Sequence, residues 1–176
     1  MCKRMIKQIK LTITTLTIIA ILFACRGKSD SDQTDDTFIK SLTERRIKET
    51  NFYISLPIDY SIKENEGPDF TVHYFSPTDT TVKANFSGGF YIGYAPREFR
   101  PFNDSCKAEI IKGEILNDSN DWTVYSCNGK YSIQVIVRSK SLEGWKSKIH
   151  AFGQGASKNE IDKIFKIYST LKLKRK

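Results

Sequence analysis

The 176-residue chain is poor in the residues that carry out chemistry. It has two histidines, His73 and His150, far apart and without the HExxH or other spacing that a zinc site requires. No G-x-S-x-G or S-x-x-K motif occurs. Gly88-Gly89 and Gly93 are not followed by the Lys-Ser/Thr of a phosphate loop. The nearest approach to an acid pair, Glu64 and Glu66, lies in a charged stretch beside Gly67-Pro68, where a solvated turn is expected. These gaps point to a protein that is not an enzyme and carries no metal or cofactor. Long apolar runs are missing too. The longest, Leu11 to Ala24, has 14 residues, short of the roughly 20 of a membrane span.

Acidic residues are in deficit, with 28 Lys+Arg against 20 Asp+Glu and a net charge of +8. An excess of that size would suggest nucleic acid or an anionic membrane. Its placement argues otherwise. Residues 1–24 hold Lys3, Arg4, Lys7 and Lys10 and no acid, and four more bases lie among the last five residues. The segment between is neutral and lacks the internal density of cations that phosphate tracking needs, so no nucleic-acid partner is expected.

What is present begins with an address. Met1 to Lys10 is a basic leader and Leu11 to Ala24 an apolar run of signal-peptide length. The run ends at Leu22-Phe23-Ala24-Cys25, which resembles a bacterial lipobox. That resemblance implies cleavage before Cys25, acylation of its thiol and of the new N-terminus, and an envelope protein anchored in the membrane by its acyl chains. Two or three chains hold stably, at roughly 0.8 kcal/mol per buried CH2. An uncleaved anchor or plain secretion are the other readings. The expected location is the cell envelope, either on the outer membrane facing the periplasm or on the cell surface.

Residues 25–37 then read as the lipidated Cys and a flexible acidic tether, since Arg26 to Thr37 contains no apolar residue. Asp30, Asp32, Asp35 and Asp36 do not make a calcium loop. Counted from Asp30, the sixth and twelfth positions are Asp35 and Ser41 where Gly and Glu are needed.

Residues 38–171 read as one α+β domain with a mainly antiparallel sheet, followed by a basic tail at 172–176. Phe38 to Glu49 suits a short amphipathic helix or a loose lead-in. Period-two alternation then marks Phe52 to Leu56, Tyr60 to Lys63, Phe70 to Phe75 and Gly89 to Ala95. Lys107 to Leu116 and Trp122 to Cys127 read as a hairpin around the turn formers Asn117 to Asn120. Tyr131, Ile133, Val135 and Val137 alternate with Ser132 and Gln134, a strand with one wet face, and Lys148 to Phe152 is the last strand. Ser157 and Glu160 form a capping box ahead of Ile161, Ile164, Phe165, Tyr168 and Leu171 at helical spacing. Cys106 and Cys127 flank the hairpin at mirrored positions, so they are either a disulfide, suited to an oxidising compartment, or two buried thiols.

Several phrases resemble the small PsbP/Mog-type α+β sandwich of bacterial envelope lipoproteins, including DcrB-like ones. They are Phe52 to Tyr60 (FYISLPIDY), the Gly67-Pro68-Asp69-Phe70 step, Gly89 to Pro96 (GFYIGYAP) and Lys148 to Gly153 (KIHAFG) before the capped helix. The resemblance covers about residues 50–171 and implies binding proteins without catalytic residues. The element order is also similar to that of periplasmic immunity lipoproteins that block a type VI secreted muramidase. Neither likeness assigns contact residues. A tethered domain without a catalytic constellation suits protein binding, with a structural or assembly role or small-ligand carriage as the alternatives. The irregular segment after Pro96 supplies the contact types Arg97, Phe99, Arg100 and Phe102, and a Gly-flanked loop adds Trp145. The phenylalanines would otherwise plug the core and the arginines be solvated.

Overall fold

The computed structural model describes residues 37–48, 50–68, 70–100, 105–138 and 147–174. The chain divides into two compact units, Met1–Thr37 and Phe38–Lys176, and the second contains all ten strands and the long helix described below. Cys25 lies outside the described residues, as do Phe102 and Trp145.

The architecture is α+β and dominated by antiparallel sheet. Residues 37–41 form a short helix, α1, followed by strands β1 (Thr43–Arg46), β2 (Phe52–Leu56), β3 (Tyr60–Glu66), β4 (Phe70–Pro77) and β5 (Phe86–Gly93). Next come β6 (Lys107–Ile115), β7 (Asp118–Cys127), β8 (Lys130–Arg138), β9 (Lys148–Gly155), helix α2 (Lys158–Ser169) and β10 (Lys172–Leu173). Seven strands make one antiparallel sheet in the order β3-β4-β5-β9-β8-β7-β6, and three make a second, β1-β2-β10. Strand β9 enters the middle of the large sheet between β5 and β8.

Alternation decides which residues meet the core. On the inner face, Phe75 of β4, Phe90 of β5, Trp122 of β7, Ile133 of β8 and Ile149 of β9 are buried with Ile161, Ile164 and Tyr168 of α2. Phe52, Ile54 and Leu56 of β2 join the same cluster, so helix and small sheet share one core with the inner face of the large sheet. The helix sits close: a Cβ on Gly153 would come within 2.9 Å of Ile164 Cγ2. Tyr168 reaches through to the backbone, its hydroxyl accepting from Gly89 N at 3.1 Å and lying 2.5 Å from Gly89 O and 2.7 Å from Phe152 O. Burial raises the pKa of that hydroxyl far above the phenolic range, so it stays protonated as a donor.

Local chemistry explains most boundaries. Ser157 caps α2 by accepting from Glu160 N at 3.3 Å, while the Glu160 carboxylate turns to Lys163 at 2.9 Å. The β7–β8 turn is Asn128-Gly129, both at positive φ (50° and 75°), the pair that a tight hairpin favours. Cys106 and Cys127 are joined by a disulfide, with their Cα atoms 4.5 Å apart beside the β6–β7 ladder.

Four details differ from the sequence-based reading. The β6–β7 turn falls at Leu116-Asn117, with φ of 56° and 64°, and Asp118 to Asn120 belong to β7. Of the lead-in Phe38 to Glu49, residues 38–41 lie in the short helix α1, as expected, but Thr43 to Arg46 form β1, whose Arg45 guanidinium donates to the carbonyls of Ile58 and Tyr60. Glu64 and Glu66 are strand residues of β3, not a turn, and Glu64 lies 3.5 Å from His73 Nδ1. Lys172 and Leu173, expected in a basic tail, pair with β2 as β10, and Lys172 and Lys174 both bind the Glu44 carboxylate. That pairing holds the Glu44 carboxyl below its ordinary pKa.

Candidate functional site

The outer face of the large sheet is built from the alternate residues of the same strands. After β5 the chain leaves the sheet at Gly93 and runs through residues 94–100 as an irregular segment that crosses this face. Its anchor is Phe99. The Phe99 N–H donates to Gln134 Oε1 at 2.7 Å, and the Gln134 amide donates back to Phe99 O at 2.7 Å. One side-chain amide thus satisfies both backbone groups of a residue that belongs to no strand, as a neighbouring strand would. Gln134 Oε1 also lies 3.0 Å from His150 Nε2. An amide oxygen only accepts, so Nε2 carries the proton. Burial lowers the His150 pKa from 6.5 to about 4, which keeps the ring neutral near pH 7.

The wet face expected for β8 is therefore wrong at Gln134, which is only 3% exposed beneath the segment. The Phe99 side chain, in contrast, is 56% exposed. Its ring lies 4.8 Å from His150 and 5.2 Å from Phe152, centroid to centroid, so it stands on the sheet without sinking into the inner core. Arg97 and Arg100 on either side of it are exposed. Arg97, Phe99 and Arg100 thus lie exposed on this one irregular segment.

Beside Phe99, on the outer face of the sheet, lies a cleft of about 430 Å³. Its aromatic lining is Tyr74 and Phe75 of β4, Tyr125 of β7, Phe152 of β9 and Phe99. Tyr74 approaches Phe152 edge-on at 5.9 Å, and Phe99 does so from the other side. Polar groups come from the hydroxyls of Ser76, Ser87, Ser132 and Tyr125 and from the amides of Gln134 and Gln154. Gln154 Nε2 donates to Ser87 Oγ at 3.3 Å across the β5–β9 pair. No residue with a charged side chain lines the cleft among the described residues, in a chain that is 27% charged. Every polar side chain there except Gln134 retains an exposed edge, and hydroxyls and amides both donate and accept, so the arrangement is fitted to bind an uncharged polar group beside an apolar one.

Only Phe99 of the cleft was legible in the sequence. The missed residues are spread over five strands, β4, β5, β7, β8 and β9, and the signal they left was aromatic side chains, Tyr74 and Phe152, at positions facing away from the core. The chain matches no protein-family model, no curated protein and no solved structure.

Proposed function

We propose that the protein is a lipid-anchored module of the bacterial cell envelope, of the PsbP/Mog-like sandwich type, that acts without catalysis by binding another protein. The observation that carries this reading is the presentation of Phe99, held by two backbone hydrogen bonds to Gln134 yet 56% exposed and flanked by Arg97 and Arg100. Aromatic and arginine side chains on a rigidly held segment are the residue types that dominate protein interfaces. The lipobox-like Cys25 and the acidic tether would keep that surface near a membrane at high effective concentration. The sharper form of the proposal is an immunity protein that covers the cleft of a cell-wall-degrading effector.

Replacing Arg97, Phe99 and Arg100 together with alanine tests the surface. Binding to an effector encoded beside this protein should fall at least about tenfold while the far-UV dichroism is retained; unchanged affinity removes the segment from the proposal. Lipidation is tested by labelling with a palmitate analogue, which a Cys25→Ser variant should fail to incorporate. A second reading, small-ligand carriage, is favoured by the cleft beside Phe99, whose 430 Å³ falls in the range of small-molecule sites. It would sit on the outer face, since the space between sheet and helix is filled by Trp122, Phe75 and Tyr168.

A further inference from the structure

We propose that the outer-face cleft binds an uncharged sugar, a mono- or disaccharide whose ring faces pack on Tyr74, Phe152 and Phe99 while its hydroxyls meet Ser87, Ser132 and Gln154. The inference rests on the carrier reading of the cleft and names its ligand class. It follows by elimination from the lining. A charged ligand would leave water and find no counter-charge among the described lining residues. An acyl chain would bury serine hydroxyls and glutamine amides without giving them partners. An added peptide strand requires open backbone groups at a sheet edge. The cleft instead lies over β4, β5, β9, β8 and β7, each paired on both sides.

The remaining chemistry is a compact molecule with apolar faces and a rim of groups that both donate and accept. A pyranose ring has that character. Its C–H faces suit aromatic side chains, and each hydroxyl matches a serine or an amide in either direction. The volume of about 430 Å³ lies near the small end of the roughly 300–1,000 Å³ range of ligand sites, which favours one or two rings over a long chain. The floor is preorganised, since Gln154 is bonded to Ser87 and Gln134 to the Phe99 backbone.

The test is a titration of the full chain, in a detergent without a sugar headgroup, followed by NMR and calorimetry. The probes are cellobiose, maltose and N,N′-diacetylchitobiose, with glucosamine and glucuronic acid as charged counterparts and 1-decanol as an apolar control. Saturable binding of at least one neutral disaccharide should shift the Tyr74, Phe99 and Gln154 resonances, with the charged sugars at least about tenfold weaker. Tyr74→Ala and Phe99→Ala should each raise Kd by about tenfold or more; these side chains are 44% and 56% exposed, so their loss leaves the inner core intact. Gln154→Ala, at an exposed position, serves as a milder second variant. Binding of decanol alone would overturn the sugar assignment and leave the carrier reading standing. Failure of every probe would overturn both.

Discussion

The two faces of the seven-stranded sheet come from the same strands, one residue apart, and have opposite fates. On the inner face Trp122, Phe75 and Ile133 close against α2 and β2 with no exposed area to speak of. On the outer face Tyr74, Ser132 and Phe152 line a cleft whose one wall outside the strands, among the described residues, is Phe99 of the irregular segment. The inner face is covered by regular elements whose apolar spacing matches it. The outer face is covered at one point by the Phe99 segment, which a glutamine of β8 holds in place of a neighbouring strand. Regular partners close a surface and an irregular one leaves it open, so binding capacity follows from what covers a face as much as from its own residues.

The contrast can be broken by substitution. The largest effect is expected for Trp122→Ala on the inner face, where loss of a wholly buried ring between Phe165 and Tyr168 should cost about 3–5 kcal/mol in urea unfolding. A loss below about 1 kcal/mol would mean that the inner face is no better packed than the outer. Reduction of the Cys106–Cys127 bridge, which spans 21 residues, should lower stability by about 3 kcal/mol on the loop-entropy model. Intact mass with and without reductant, differing by about two daltons, checks that the bridge is present in the protein studied.

Gln134→Ala probes the outer face directly. It removes the partner of both Phe99 backbone groups and of His150 Nε2, and should cost about 1–3 kcal/mol and speed exchange of the Phe99 amide. Unaltered exchange would show that other contacts hold the segment. A pH effect follows from the same cluster. His150 takes up its proton near pH 6.5 when unfolded and only near about 4 when folded. The unfolded state therefore binds the extra proton between those values, and stability should decline as pH falls from about 6.5 to about 4. A His150→Gln variant should show a shallower decline across that window. The smallest effect is expected for Ile110→Ser, 64% exposed on the outer side of edge strand β6, at within about 0.5 kcal/mol.

Much of the fold was legible where a single period ran unbroken. Phe52 to Leu56, Tyr131 to Val137 and the helix after Ser157 are found where the spacing places them, because one face of each meets the core. The errors share a physical origin. At Leu116-Asn117 the turn uses a leucine in the left-handed region while richer turn formers follow it, so composition pointed two residues downstream. β10 is two residues long and lies among lysines, too short to show a period. Gln134 looked solvated because alternation reports which face a side chain takes and not what later crosses that face. The cleft was invisible for the same reason: its walls are brought together only by the sheet order β4-β5-β9-β8-β7, in which β9 enters from far along the chain.

The Tyr168 hydroxyl gives the two faces a common gauge. It belongs to the helix, yet it holds the amide of Gly89, one residue from the cleft wall at Gly88. That amide should exchange its hydrogen with solvent only when α2 lifts from the sheet, so its protection factor reads the cohesion of the inner layer from a spot beside the outer cleft. Occupation of the cleft that stiffens β5 and β9 would then register as slower exchange at this single proton, without any label on the ligand.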